Sequence, residues 1–378
     1  MKISKSRFVL IVVIVFALGA GAGFGAGEFI QGYKAQFTDD QVSSSDRYKK
    51  IDELYDIVED QYYEDPDEND IEDGMAKGLF AGLGDKYSGY MTKEEYRSYE
   101  DSVMGEFEGI GITFQENKKG ERVIISTVKG SPAQKAGLKK NDIILKVDGK
   151  EYDSVDKMAA AIKGKGGTKV KLLIKRGDKE KTYEITREQI VMDTVESKMM
   201  DGKIGYIKVT SFENHTETDY KEAFSKLESK GMKGFIIDLR DNGGGLIDPA
   251  IKIADTLLDK CTITYLEDRA GKKDYYNSDA SHTDLPYVIL VNGNTASASE
   301  ILTAAIKDKG EGTIVGTKTY GKGVVQISDE LSDGSGYKLT VMQYFSPTGK
   351  KINKKGVVPD IKIKGSKEQL NKAVDLLQ

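Results

Sequence analysis

The chain has little of what disulfide and zinc chemistry need. Its 378 residues include one cysteine, Cys261, and two histidines, His215 and His282. A single cysteine excludes an intramolecular disulfide, and this ligand set cannot assemble a zinc site of the Cys/His kind. Cys261 stands in the run TLLDKCTITYL, where a small buried apolar side chain is expected rather than a reactive thiol. An excess of one charge sign is also missing. The 56 Lys and Arg are scattered among 61 Asp and Glu for a net charge of -5, so no basic stripe points to nucleic acid. There is no GxGxxG or P-loop pattern to cradle phosphate, no GxSxG elbow, and no internal repeat.

One long apolar run is present, at the N-terminus. Lys2, Lys5 and Arg7 precede an uncharged stretch from Phe8 to Gly27. About 20 such residues cross a bilayer as a helix, and a basic flank stays in the cytoplasm. The expectation is a cytoplasmic flank (1–7), a transmembrane anchor (8–30) and a polar tether (31–45). The rest of the chain would then lie on the extracytoplasmic side of the cell membrane. A cleaved signal peptide is the alternative, since GAGAGFGAG is rich in small residues. Gly19 with Gly23, and Gly21 with Gly25, have the spacing that lets two such helices pack closely.

Residues 46–104 read as a small helical region. Ile51, Leu54, Tyr55, Val58 and Tyr62 recur at helical spacing, and Thr92 with Glu95 forms a capping box. From 105 to 188 the pattern becomes short alternating β-branched runs (FEGIGITFQ, RVIISTV, DIILKVDG, KVKLLIKRG, KTYEITRE) with two helical segments between them. From 189 to 363 strands alternate with helices, which argues for an α/β layered domain on a largely parallel sheet. Residues 364–378 close the chain with an amphipathic helix.

In such sheets, sites form beyond the carboxyl ends of the strands. Three loops qualify: RDNGGGL after the run Phe235 to Leu239, NGNTASASE after Val288 to Val291, and KTYGKGVVQ after Ile314 and Val315. In the second, Ser297 stands at a helix start, where free N–H groups suit a developing oxyanion. Ser297 with Glu300 also matches a capping box, so a plain helix cap is an open reading. Lys322, flanked by Gly321 and Gly323, precedes an apolar strand. Burial there would lower its pKa and let it accept a proton. In a regular strand Gln326 shares a face with Lys322 and would hold its amine by a hydrogen bond. The glycines of RDNGGG would leave backbone N–H groups open to a ligand, or would simply make a turn. His215 and His282 lie in polar connectors and are poorly placed as bases.

GNTASASEILTAAIKDKG, GTKTYGKGVVQ and SPTGKKINKKGVVPD together resemble the carboxy-terminal processing peptidases, also called tail-specific proteases. The resemblance covers nearly all of the chain after the anchor. It implies an α/β protease core of the crotonase/ClpP-like kind, carrying an inserted PDZ domain, with helical segments at both ends. By position it makes Ser297 the nucleophile, Lys322 the base and Gln326 its orienting residue. Asp308, eleven residues after the serine, is a secondary candidate. The N–H groups of Ala298 and a glycine of the NGGG loop would form the oxyanion hole. Gly243 replaces the proline common in that loop, and Gly244 is favoured as the donor. FEGIGITF resembles the carboxylate-binding loop of a PDZ domain, with Gly109, Ile110, Gly111 and Ile112 as the contacts to a free peptide C-terminus.

The resulting expectation is a membrane-anchored serine endopeptidase acting on proteins or peptides with free C-termini, needing neither metal nor cofactor. A homodimer through the terminal helices is a further expectation. Two other classes stand against it. A non-catalytic, membrane-tethered PDZ adaptor has no use for the Ser297, Lys322 and Gln326 set. An esterase of the α/β-hydrolase type would carry the GxSxG elbow.

Overall fold

The structure, a computed structural model, describes residues 44–104 and 106–378. The cytoplasmic flank, the anchor and the tether up to residue 43 lie outside the described residues. Among the described residues no helix is long and apolar enough to cross a membrane. The chain divides after Gly78 into two units. The first holds α1 (Ser44–Gln61), which takes in the last two residues assigned to the tether, and most of α2 (Glu68–Ala81). On α1 the apolar positions Ile51, Leu54 and Val58 are exposed.

The second unit opens with β1 (Gly89–Met91) and α3 (Lys93–Met104). The capping box forms: Thr92 N–H donates to Glu95 at 2.8 Å, and Glu95 N–H donates to Thr92 Oγ1 at 3.3 Å. Residues 46–104 are therefore not purely helical, because β1 pairs with a strand of the later domain.

The β-rich module runs through β2 (Glu106–Gly109), β3 (Ile112–Glu116), β4 (Arg122–Thr127), α4 (Pro132–Lys135), β5 (Ile143–Val147), α5 (Val155–Ile162), β6 (Lys169–Arg176), β7 (Lys179–Thr186) and β8 (Glu188–Val191). Strands β3 to β7 form an antiparallel sheet in sequence order, leaving β3 at an edge. The alternation of KVKLLIKR buries Val170, Leu172 and Ile174 against Ile124, Val147 and Met158. β8 pairs with β2, carrying the module past 188 to Val191.

The last domain contains β9 (Val195–Met200), β10 (Ile204–Val209), α6 (Thr216–Glu228), β11 (Gly234–Asp238), α7 (Ile247–Asp255), β12 (Thr262–Asp268), β13 (Lys273–Asn277), β14 (Tyr287–Val291), α8 (Ala298–Lys309), β15 (Thr313–Gly316), β16 (Val324–Glu330), β17 (Gly336–Phe345), β18 (Ile361–Lys362) and α9 (Ser366–Asp375). Its main sheet has the order β18-β15-β14-β11-β10-β9, parallel except for β9. β11 and β14 are buried at every residue, as strands of a covered parallel sheet should be. Ile236, Val288 and Val315 pack on one face with Leu370, Ala373 and Val374 of α9. On the other face Phe235 meets Phe224 of α6 edge-on, with centroids 5.2 Å apart. A second sheet, β1-β17-β12-β13 with β16 on β17, includes the β12–β13 hairpin that the alternating pattern did not reveal.

Candidate active site

Parallel pairing aims the carboxyl ends of β11, β14 and β15 in one direction, so the three glycine- and serine-rich loops meet. Hydrogen bonds lace them together. Asp241 accepts from the side chains of Asn292 and Asn294 at 2.9 and 2.8 Å. The carbonyl of the buried Asn242 accepts from Ala296 N–H at 3.0 Å and from Ser299 Oγ at 3.2 Å. Thr295 Oγ1 donates to the Leu239 carbonyl at 2.8 Å, while the Thr295 carbonyl accepts from Tyr320 N–H at 3.0 Å. At the root of the first loop, Asp238 pairs with Arg240 and accepts from Tyr206 at 2.7 Å.

Ser297 precedes α8 with φ 57° and ψ -122°. A residue capping a helix ordinarily holds an extended backbone. Ser131 and Ser154 do so here, each accepting the N–H of the residue three further on. Ser297 instead occupies a region costing a non-glycine residue about 1–3 kcal/mol. Strain of that kind needs support, and it sets Ser297 apart from the extended caps Ser131 and Ser154, although Ser297 forms a capping box with Glu300. The first nine residues of α8, Ala298 to Ile306, are all buried, which fixes the turn from below.

That support comes from Glu300, which is fully buried. One carboxylate oxygen accepts from Ser297 N–H at 3.0 Å and from Lys322 N–H at 2.8 Å. The other accepts from Gly321 N–H at 2.8 Å and from the Thr319 hydroxyl. Burial pushes the Glu300 carboxyl up, against these donors, which pull it down. A single side chain thus joins the loop of the serine to the loop of the lysine. The sequence shows Glu300 only as the partner in a capping box; its reach to residues 319–322 has no local signature.

The lysine loop is backed by residues 352–357. Lys354 N–H donates to the Gly321 carbonyl at 2.7 Å, and a Cβ on Gly323 would lie 2.1 Å from Asn353 N. Lys322 is half-buried. Burial lowers its pKa from the usual lysine value, Lys338 lowers it further, and Tyr320, Asp85 and Glu300 pull it back. Its carbonyl accepts from the hydroxyl of Tyr344, a buried residue of β17. Its Nζ lies 5.0 Å from the centroid of the Tyr87 ring.

Gly244 packs on the serine: with φ 103°, a Cβ there would lie 2.6 Å from Ser297 Cβ and 3.0 Å from Ala298 N. Its N–H donates to Asn242 Oδ1 at 2.8 Å. Gly243, by contrast, has open space where a Cβ would stand. Ala298 is the first residue of α8, where the helix itself offers its N–H no carbonyl.

Two of the expected site residues are engaged elsewhere. Gln326 donates to Thr340 Oγ1 at 3.1 Å instead of holding the lysine amine. Regular alternation from Lys322 predicted otherwise, but β16 starts only at Val324 and carries a bulge between Val325 and Gln326. Asp308 is about 16 Å along α8 from Ser297, at 1.5 Å per residue. Burial alone would raise its pKa, but Lys350 at 2.6 Å, with Ser346 and Thr348, brings it below the usual range. His215 Nε2 contacts the Met192 carbonyl at 2.8 Å.

In the β-rich module, Gly109, Ile110, Gly111 and Ile112 line a cavity of about 390 Å³. Phe107, Phe114, Ala159 and Ile162 form its apolar walls, with Lys163 at its rim, and Met192 and Glu213 come from beyond the module. Gly111 has φ 76°, and a Cβ there would lie 2.4 Å from Ser131 Cβ, so only glycine fits this loop. The free edge of β3 runs beside it.

Comparison with known proteins agrees with this geometry. The description "Peptidase family S41" matches residues 203–363, "PDZ domain" matches 109–186, and "Activating protease CtpB N-terminal domain" matches 16–95. A carboxy-terminal processing protease, CtpA, of Bacillus subtilis (strain 168) is 39% identical over 340 residues, spanning 88% of this chain and 73% of the relative. A probable CtpA-like serine protease of Staphylococcus aureus (strain COL) is 38% identical, spanning 85% of this chain and 65% of that protein. Among solved structures, the photosystem II D1 C-terminal processing protease superposes with a TM-score of 0.52 at 28% identity, covering 84% of this chain and 86% of the other. A serine loop and a lysine loop brought together on an S41 fold, a cavity in the PDZ domain, and these relatives lead to one conclusion: the chain belongs to the S41 peptidases, as a C-terminal processing serine protease with a PDZ domain.

Proposed function

We propose that the protein is a membrane-anchored endopeptidase in which Ser297 attacks the scissile carbonyl and neutral Lys322 removes its proton. The observation that carries this reading is Glu300, whose carboxylate accepts from the N–H groups of both residues. Burial lowers the lysine pKa, so the neutral amine is populated nearer physiological pH. The oxyanion is held by Ala298 N–H and the Gly244 segment, the protonated lysine then gives its proton to the substrate's leaving amine, and water releases the acyl group. Gly244 enters this role once its N–H turns from Asn242 toward the substrate.

Substrates are selected by their C-terminal tail. The apolar cavity beside an open strand edge supports this, since a peptide can add to β3 with its carboxylate at Gly109–Ile112. The apolar run at 8–30 supports the anchor and the extracytoplasmic location. The exposed apolar face of α1 supports a second copy of the chain as partner.

Ser297→Ala and Lys322→Ala proteins should each lose nearly all cleavage of a tail-bearing peptide while still binding it. Wild-type turnover by Lys322→Ala would remove the lysine as base. Amidating the peptide C-terminus should slow cleavage strongly, and equal rates would end the tail-reading proposal. Deleting residues 1–30 should move the protein from the membrane fraction to the soluble one. Light scattering on the shortened protein should give twice the chain mass.

A further inference from the structure

The residues in front of the PDZ module reach the far side of the proposed base. Asp85, Lys86, Tyr87 and Ser88 precede β1, which pairs with β17 in the register Gly89↔Lys338. The segment is fastened at two points around Lys322. On one side Ser88 Oγ donates to Asp85 at 2.6 Å and accepts from Thr340 N–H of β17 at 2.9 Å. On the other, Lys86 Nζ donates to the hydroxyl of Tyr320, two residues before Lys322, at 2.6 Å. Asp85 also accepts from Tyr87 N–H at 3.1 Å, which fixes the tyrosine backbone. Between the two points the Tyr87 ring lies with its centroid 5.0 Å from Lys322 Nζ. Gln326, expected to hold the lysine, hydrogen-bonds Thr340 of this same wall.

We propose that Tyr87 is a positioning residue for the catalytic lysine: its ring covers the Lys322 amine from water and gives the ammonium formed during proton transfer a π face to rest on. This inference deepens the proposed Ser297–Lys322 chemistry and rests on it. The ring has two opposed effects on the lysine. Excluding water favours the neutral amine, and the π face favours the cation. Among the groups around Lys322, burial has the largest influence, with Lys338 of β17 acting in the same direction. Tyr320, Asp85 and Glu300 of α8 act against it. Opening the wall should therefore let water in and raise the lysine pKa.

The test is the pH dependence of kcat/KM on a tail-bearing peptide, for wild type, Tyr87→Phe, Tyr87→Leu, Tyr87→Ala and Lys322→Ala. Tyr87→Phe keeps the ring and should reproduce the wild-type acid limb. Tyr87→Ala should move that limb up by about one pH unit, a roughly tenfold loss of rate on the limb, and should lower the plateau as well. A merely structural role would lower the plateau without moving the limb. Superimposed limbs for Tyr87→Ala and wild type would overturn the proposal, as would a shift in Tyr87→Phe equal to that in Tyr87→Ala. If Tyr87→Ala does not fold, Tyr87→Leu decides. It keeps an apolar cover and lacks the π face, so its limb should lie at or below the wild-type limb, and a limb above it would refute the cover. Activity surviving in Lys322→Ala would instead remove the dyad itself, a result separate from any behaviour of Tyr87.

Discussion

Replacing Glu300 by Gln tests whether one buried carboxylate holds the two loops of the site in register. The substitution keeps the shape and removes the charge. In the native protein one oxygen serves Ser297 N–H and Lys322 N–H, and the other serves Gly321 N–H and the Thr319 hydroxyl. The amide must place its NH₂ on one of these sides. The better orientation keeps its oxygen on Ser297 and Lys322 and turns the NH₂ toward Thr319, leaving Gly321 N–H facing a donor. An unsatisfied buried N–H costs about 1–3 kcal/mol, and each of two remaining bonds weakens by about 1 kcal/mol when its acceptor loses charge. The sum, about 3–5 kcal/mol, is a large share of a typical stability of about 5–15 kcal/mol, yet it leaves the fold intact. Glu300→Ala would orphan all four donors and is the poorer probe. A shift of the lysine loop by about 1 Å costs about 10²-fold in rate. We expect Glu300→Gln to lower kcat about 100-fold with KM nearly unchanged, together with a melting temperature lower by roughly 5–10 °C. Steady-state cleavage of a tail-bearing peptide and a thermal melt measure both. A kcat within twofold of wild type would refute the reasoning.

Lys322→Met should abolish cleavage yet raise the melting temperature near neutral pH, because it removes a charge that burial disfavours. With the folded pKa below 10.5, the lysine's cost is greatest at low pH and fades as pH rises toward 10.5, so the difference between the two melts should close over that range. Gly244→Ala places a Cβ 2.6 Å from Ser297 Cβ at a φ of 103° and should reduce kcat at least about 100-fold, while peptide affinity, read by fluorescence anisotropy, stays the same. Gly111→Ala should weaken tail binding at least about tenfold, since the clash with Ser131 deforms the carboxylate loop, and wild-type affinity would exclude that loop as the contact. Asp308→Asn should keep kcat within about twofold while costing about 1–3 kcal/mol in denaturant unfolding, because its carboxylate serves Lys350 and Thr348.

Much of this architecture was legible without coordinates. The alternation of KVKLLIKRG, the apolar runs within β11 and β14, and the change from β-rich to alternating pattern near Val191 follow from side-chain periodicity and burial, which are local properties. So do the three loops at the carboxyl ends of the strands, and with them Ser297 and Lys322. What local pattern left open was whether Ser297 is more than a cap. Its positive φ and the span of Glu300 to Lys322 set it apart from the extended caps Ser131 and Ser154, and neither is visible in local pattern. Periodicity failed where the chain departs from regularity. The bulge at Val325 and Gln326 turned an expected lysine partner toward Thr340. β1 lies 245 or more residues from its β17 partners, a pairing no local window can contain. Tyr87 reaches Lys322 by that same pairing. The sequence by itself determined most of the strands and helices and the three loops in which the candidate residues lie. Tertiary structure alone decided which of those residues meet, because hydrogen bonds and burial between distant segments depend on three-dimensional register and not on spacing along the chain.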